Sequence, residues 1–403
     1  MVKKNDTNVL EFLKFVRFCI NETASVPNSF DKMDWFGLFC FMKKQALLGV
    51  GFCGLERIRK EGIAIPRKIL LQWYAVNEKL QESNVKMNHE CTRLTHFFES
   101  EGHCTAILKG QANARLYPNP LSRQPGDIDI WVDGGFEGII SLLDRLETIN
   151  VNKNASLENV DKACHHIHLL TNESKINVEI HFRPSSGNWN PFSNRRVQKF
   201  LNKEIAQENK MVEEGFRIPS LRFALIMQLA HIQRHFLDVG IGFRQVMDYY
   251  YLLKSNDVVK KKELVQLLRN LGLWNMAKAM MWVLYNVFGL EEKYMIAPME
   301  KRRGNMLLDD ILSGGNFGHH SIQIRQNALG RFFLGRIRHV KLLFFDVEEV
   351  LGFEYSYWKK QIGKGIDKFC VWYAISHRNV CGNQSSDGIT SSGGRGIDRT
   401  RDN

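Results

Sequence analysis

Two carboxylates separated by a single isoleucine, Asp127 and Asp129, stand at the head of an otherwise apolar run, Gly126-Asp127-Ile128-Asp129-Ile130-Trp131-Val132. Apolar and acidic residues alternate here with the period of a strand, so both carboxylates fall on one face. Like charges held this close repel each other and resist desolvation, which is costly unless a positive group lies between them. A divalent cation answers that need, and in its absence replacing one acid by its amide is expected to relieve repulsion. Upstream, an apolar run from Thr105 to Leu108 reaches a Lys109-Gly110 turn and a helix-like segment through Leu116. A Pro-rich loop bearing Arg123 then leads into the acidic strand.

Leu108-Lys109-Gly110-Gln111-Ala112, followed by Arg123-x-x-x-Asp127-Ile128-Asp129, resembles the DNA-polymerase-β-like nucleotidyltransferase superfamily. Within it, the motif is similar to the bacterial group of uncharacterised nucleotidyltransferases. The motif-bearing part covers roughly residues 96–185, with looser similarity in the helical part that follows. The resemblance implies a third carboxylate on a later neighbouring strand, and Ile176-Asn177-Val178-Glu179-Ile180-His181-Phe182 supplies Glu179, again in alternation. It implies that Asp127, Asp129 and Glu179 are catalytic and hold two magnesium ions, manganese being the alternative. One ion would escort a nucleoside triphosphate such as ATP and the other would activate an acceptor hydroxyl.

Many members of the superfamily carry Gly-Ser in the turn, whereas here Gly110 is followed by Gln111. Phosphate contact then passes to Lys109, Gly110 and the helix start after them, an end of a helix that favours anions. Lys109 and Arg123 are the nearest cations for the charge that builds on the transferring phosphoryl group. Two function classes follow. One is a metal-dependent transferase that moves a nucleoside monophosphate onto an unidentified acceptor hydroxyl and releases pyrophosphate. The other is the same fold with turnover reduced, serving as a nucleotide-binding or regulatory module; Gln111 speaks for it and the three surviving carboxylates against it. The net charge of +12 invites an anionic partner, but no helix-turn-helix, zinc-finger or RNA-binding signature accompanies it.

The elements that must position these residues read as α+β: a small mixed β-sheet nucleotidyltransferase core over residues 96–215, flanked by an N-terminal helical region (1–95) and a C-terminal helical domain (216–378). Residues 379–403 have too few apolar side chains to order themselves and read as a disordered tail. A long helix from Arg67 to about Ser100 leads directly into the first strand. A helix over Phe136–Ile149 covers one sheet face, and His165–Leu170 with Ile176–Phe182 form a hairpin. His166 and His168 share a strand face, as do Glu179 and His181, so a cross-strand cluster can form. The spacing of these histidines lacks the loop-closed pattern of a structural zinc site, and the resemblance implies a supporting or substrate-facing place for His181.

The basic segment from Arg195 to Lys203 reads as a solvated linker rather than an acceptor-contacting flap. His231 and His235 share one helix face. Arg244 and Asp248, four apart on the next helix, read as a surface pair, the alternative being that Arg244 or His231 faces the nucleotide cleft. Phe333, Ile337, Val340, Phe344, Val347 and Leu351 form a stripe flanked by arginines, expected to pack on the fold rather than on a membrane surface.

With 403 residues and 44% hydrophobic content the chain can build a proper core, which excludes disorder throughout. Eight scattered cysteines without a Cys-x-x-Cys pair suit reduced thiols. No apolar run reaches the ~18–20 residues that span a bilayer, and a cytoplasmic location is the expectation.

Overall fold

A computed structural model describes residues 7–147, 151–152, 165–171, 175–255, 261–316 and 328–363. The tail expected at 379–403 lies outside the described residues. The chain divides into two units, residues 1–352 and 353–403; of the second, residues 353–363 are described and are helical.

The first unit begins with four helices, α1 (Thr7–Ile20), α2 (Trp35–Lys44), α3 (Leu48–Lys60) and α4 (Arg67–Ser100). α4 has 34 residues and at 1.5 Å per residue runs about 50 Å, long enough to serve two cores. Its first half adds Ile69 and Trp73 to an aromatic cluster from α1 and α2, with Trp73 5.3 Å from Phe39 and 6.4 Å from Phe15 between ring centres. Its second half places Met87, Cys91, Leu94 and Phe98 under the sheet.

That sheet is built from β1 (Thr105–Ile107), β2 (Ile128–Val132), β3 (Val151–Asn152), β4 (His166–Thr171) and β5 (Asn177–His181). The short helix α5 (Gln111–Ala114) lies between β1 and β2, and α6 (Gly135–Glu147) between β2 and β3. The strand order is β1-β2-β5-β4-β3. β2 and β5 pair in parallel and the other neighbours antiparallel, so the sheet is mixed. Period-two alternation then sorts the side chains. Ile128, Ile130, Ile167, Leu169, Val178 and Ile180 face α4 and the Ile139 and Leu142 side chains of α6. Asp129, His166, His168, Glu179 and His181 take the opposite face.

The chain continues through α7 (Pro191–Gln207), the hairpin β6 (Asn209–Met211) and β7 (Arg217–Pro219), then α8 (Leu221–Asp238), α9 (Phe243–Lys254), α10 (Lys261–Asn270), α11 (Trp274–Val283), α12 (Lys301–Gly314) and α13 (Ala328–Leu342). α8 and α9 are buried along most of their length. Among the described residues, no helix is long and apolar enough to cross a membrane, and Cys19, Cys40, Cys53, Cys91 and Cys104 are free thiols.

Two expectations are overturned. The Arg195–Lys203 segment is neither linker nor flap but the middle of α7, which buries Val197, Leu201 and Ile205. Its start was written in the sequence: the Asn190 side chain caps the Phe192 N–H and Pro191 sits in the first turn, where a missing N–H is harmless. The stripe of α13 and the residues after it also departs from expectation, since Phe333, Ile337, Val340 and Phe344 are exposed among the described residues. α13 is anchored through its polar side instead. Arg338 pairs with Asp310 at 3.0 Å and donates to the Leu237 carbonyl at 2.8 Å, and His339 Nε2 lies 3.2 Å from the same oxygen.

Glu349 ties this last region to the start of α7. Its buried carboxyl accepts from the N–H groups of Trp189 (2.7 Å) and Asn190 (3.3 Å) and from the Ser193 hydroxyl (3.0 Å). Burial outweighs these contacts and pushes its pKa up to about 7, against an ordinary value of 4.5. A raised folded-state value stabilises the fold below the ordinary value and loses that stability as pH rises through the folded one. Wild-type protein should therefore lose stability between pH 4.5 and 7 relative to Glu349→Gln, by on the order of 2 kcal/mol. Urea melts at pH 5 and pH 8 check this; parallel losses in both proteins would show that Glu349 stays ionised.

Candidate active site

The parallel pairing of β2 and β5 sets Asp129 directly opposite Glu179. Asp129 is 1% exposed, so its charge needs partners close by. Its Oδ1 receives both the Lys109 ammonium at 3.0 Å and His181 Nε2 at 3.1 Å, while the same His181 nitrogen lies 3.4 Å from Glu179 Oε2. Burial alone would raise the Asp129 pKa, but Lys109 and His181 hold it well below the usual carboxylate range. The reverse holds for the cations. Burial disfavours the charged forms of Lys109 and His181, and the surrounding acids outweigh it, so both values are raised. Asp129, Asp127 and Glu179 act on Lys109; Asp129 and Glu179 act on His181.

The protein thus supplies part of the positive charge that the acids require. Asp129 Oδ2 is buried and has no hydrogen-bond partner among the described residues. An orphaned carboxylate oxygen next to a second acid, with Asp127 two residues upstream, is a donor set that fits a hard divalent cation.

The turn before these acids is shaped by Gly110, whose φ of +62° lies in the region that side chains with a Cβ avoid. α5 spans four residues, shorter than the segment expected through Leu116, so little helix dipole is available there. Gln111 does not face the turn's open side. Its Nε2 donates to Asn88 Oδ1 on α4 at 2.6 Å, which pins α5 to that helix. One turn earlier on α4, Asn84 donates to the carbonyls of Leu121 (2.8 Å) and Arg123 (2.9 Å) and so fixes the Pro-rich loop. Sequence reasoning missed both asparagines. The available signal was a polar residue inside the apolar stripe of a long helix, where Asn84 is fully buried.

Arg123 also differs from its expected setting. Its Nε and Nη2 each donate at 2.8 Å to the carboxylate of Asp248 on α9, and the Tyr117 hydroxyl donates to the same carboxylate at 2.7 Å. Asp248 therefore takes Arg123, and Arg244 reaches the Pro125 and Gln124 carbonyls at 3.2 and 3.4 Å. Neither residue is on the surface, because α9 is buried. A narrow cleft is lined by Lys109, Gly110, Arg123, Asp127 and Asp129 from the core, and by Gln228, His231, Arg244, Gln245 and Asp248 from α8 and α9. Burial and the nearby Lys109 charge hold the His231 pKa well below its ordinary value, which leaves a neutral imidazole in the wall. The structure thus gathers Lys109, Gly110, Arg123, Asp127 and Asp129 around one cleft, with Glu179 against Asp129.

A family model described as "Uncharacterised nucleotidyltransferase" matches residues 31–289, which takes in every residue of this site and most of the helices before it. No curated protein and no solved structure matches the chain.

The pairing of Asp129 reverses the expected effect of its amide. Asp129→Asn leaves a buried lysine and a buried histidine without their shared anion, and should destabilise the protein, without added metal, by about 3 kcal/mol at neutral pH. A depressed carboxylate pKa contributes stability above the ordinary value of 3.8 and loses it as pH falls below that value, so the deficit should shrink only under more acidic conditions than that. Chemical denaturation of both proteins from pH 7 down to about pH 2 measures it, and a more stable Asn variant at neutral pH would mean that repulsion dominates after all.

Proposed function

Because the chain belongs to the uncharacterised nucleotidyltransferase family, we propose that it transfers a nucleoside monophosphate from a nucleoside triphosphate to an acceptor hydroxyl. The observation that carries this reading is the buried Asp129, set in register beside the half-buried Glu179 and lining the cleft with one of its oxygens partnerless among the described residues. Asp127, Asp129 and Glu179 would hold divalent cations, magnesium or manganese, which in such sites neutralise phosphate charge and stabilise the attacking and leaving oxygens.

In the reaction the acceptor oxygen bonds to the α-phosphorus, the bond from that phosphorus to the bridging oxygen breaks, and pyrophosphate leaves with the bonding pair. The hydroxyl proton passes to a carboxylate oxygen, and Glu179, partly open to solvent, is the acid within reach of the floor. Gly110 lets the backbone approach the phosphates, since no side chain stands on it. Lys109 sits between the turn and the acids and presents the cleft with a fixed positive charge. Arg123 acts at one remove, holding the loop into β2 through Asp248.

A second reading, nucleotide binding with little turnover, is favoured by Gln111, which is tied to α4, and by Arg123, whose fork is occupied. The two readings part in one assay. Purified protein, magnesium, each labelled triphosphate and a cell extract should yield a labelled product that disappears in Asp127→Asn and Glu179→Gln; triphosphate binding without product would favour the second reading.

Lys109→Met keeps the apolar stem and removes the charge. Triphosphate affinity, measured calorimetrically with magnesium, should fall by about 1–3 kcal/mol, the size of one charge-assisted hydrogen bond. Equal affinities would place Lys109 outside the phosphate path.

A further inference from the structure

Register places four ligand-type side chains in a square on the acidic face of the sheet. In the antiparallel pairing of β4 and β5, His166 stands opposite His181 and His168 opposite Glu179. His166 Nε2 lies 2.9 Å from His168 Nε2 and 3.8 Å from Glu179 Oε1, and it is the other His168 nitrogen, Nδ1, that lies 3.5 Å from that oxygen; with one ligand atom taken from each residue, the three lie within 4.8 Å of one another. Ligands about 2.0–2.1 Å from a tetrahedral ion stand roughly 3.3 Å apart, a spacing that the 2.9 and 3.8 Å separations from His166 Nε2 bracket.

We propose that His166, His168 and Glu179 form a second cation site, one that takes a nitrogen-preferring divalent transition ion of the zinc class. Three features beyond proximity support it. The donors are two imidazoles and one carboxylate, a set that suits zinc or cobalt, whereas the oxygens of Asp127 and Asp129 suit magnesium. His166 is braced from behind, with its Nδ1 3.0 Å from His165 Nε2, the kind of outer contact that fixes a ligating ring. The His168 side chain is 67% exposed against 17% for His166 and 15% for Glu179, so the square opens to solvent on one side and leaves room for a fourth ligand.

Glu179 is the shared element. Its Oε1 faces the two histidines, while Oε2 faces His181 on the side of Asp129. An ion on the histidine side would therefore fix the carboxylate that closes the acidic floor. The site itself stands on β4 and β5 and does not depend on nucleotidyl transfer.

Cobalt titration of the untagged full-length protein, stripped with chelator, tests this by visible absorption. One equivalent should raise the ligand-field bands of a four-coordinate nitrogen and oxygen site, displaced by zinc and left in place by excess magnesium. His168→Ala, a change at an exposed position that the fold tolerates, should weaken cobalt binding about tenfold or more, and His166→Ala likewise. Asp127→Asn, which disables the nucleotide floor, should leave the cobalt spectrum unchanged. Absence of the bands in wild type, or bands that survive His168→Ala and vanish in Asp127→Asn, would overturn the site; the second pattern would assign the ion to the floor instead.

Discussion

A buried negative charge at Asp129 organises this molecule. A carboxylate that is 1% exposed cannot remain ionised without nearby compensation, and the fold provides it from two directions, Lys109 at the end of β1 and His181 at the end of β5. The strand order follows the same demand. Only with β5 beside β2 does Glu179 meet Asp129 and does His181 reach it. One oxygen of Asp129 still lacks a partner among the described residues, so the compensation is incomplete in the direction from which a cation would arrive.

The loops over this charge are held by polar side chains as well as by apolar packing of Leu108 and Tyr117. Asn84 and Asn88 of α4 fasten the Pro-rich loop and α5, and the Arg123 fork on Asp248 fastens the same loop to α9. An ion pair this deep contributes little net stability against an apolar alternative, but breaking it is costly, and that suits a device for holding one geometry. α4 bears on both sides of the site: its first half belongs to the helical core and its second half to the sheet.

The acidic face of the sheet also grades from oxygen to nitrogen donors across its strands. Asp129 on β2, Glu179 and His181 on β5, and His166 and His168 on β4 follow one another in register. Hard and borderline cations prefer opposite ends of such a series. Glu179 stands between them.

The sequence by itself determined the local chemistry. Alternation at residues 126–132 and 176–182 assigned the acids to strand faces, and the helix over Arg67–Ser100 was legible from end to end, because periodicity and capping act within a few residues. The Asn190-Pro191 start of α7 was equally local and went unread under the basic residues that follow it. Tertiary structure alone decided that His181 and Lys109 share Asp129, that Gln111 turns to α4, that Arg123 spends its fork on Asp248, and that the α13 stripe faces outward among the described residues. Each of these joins residues far apart in the chain, and nothing in spacing or propensity encodes a distance between strands and helices that meet only once the core has closed.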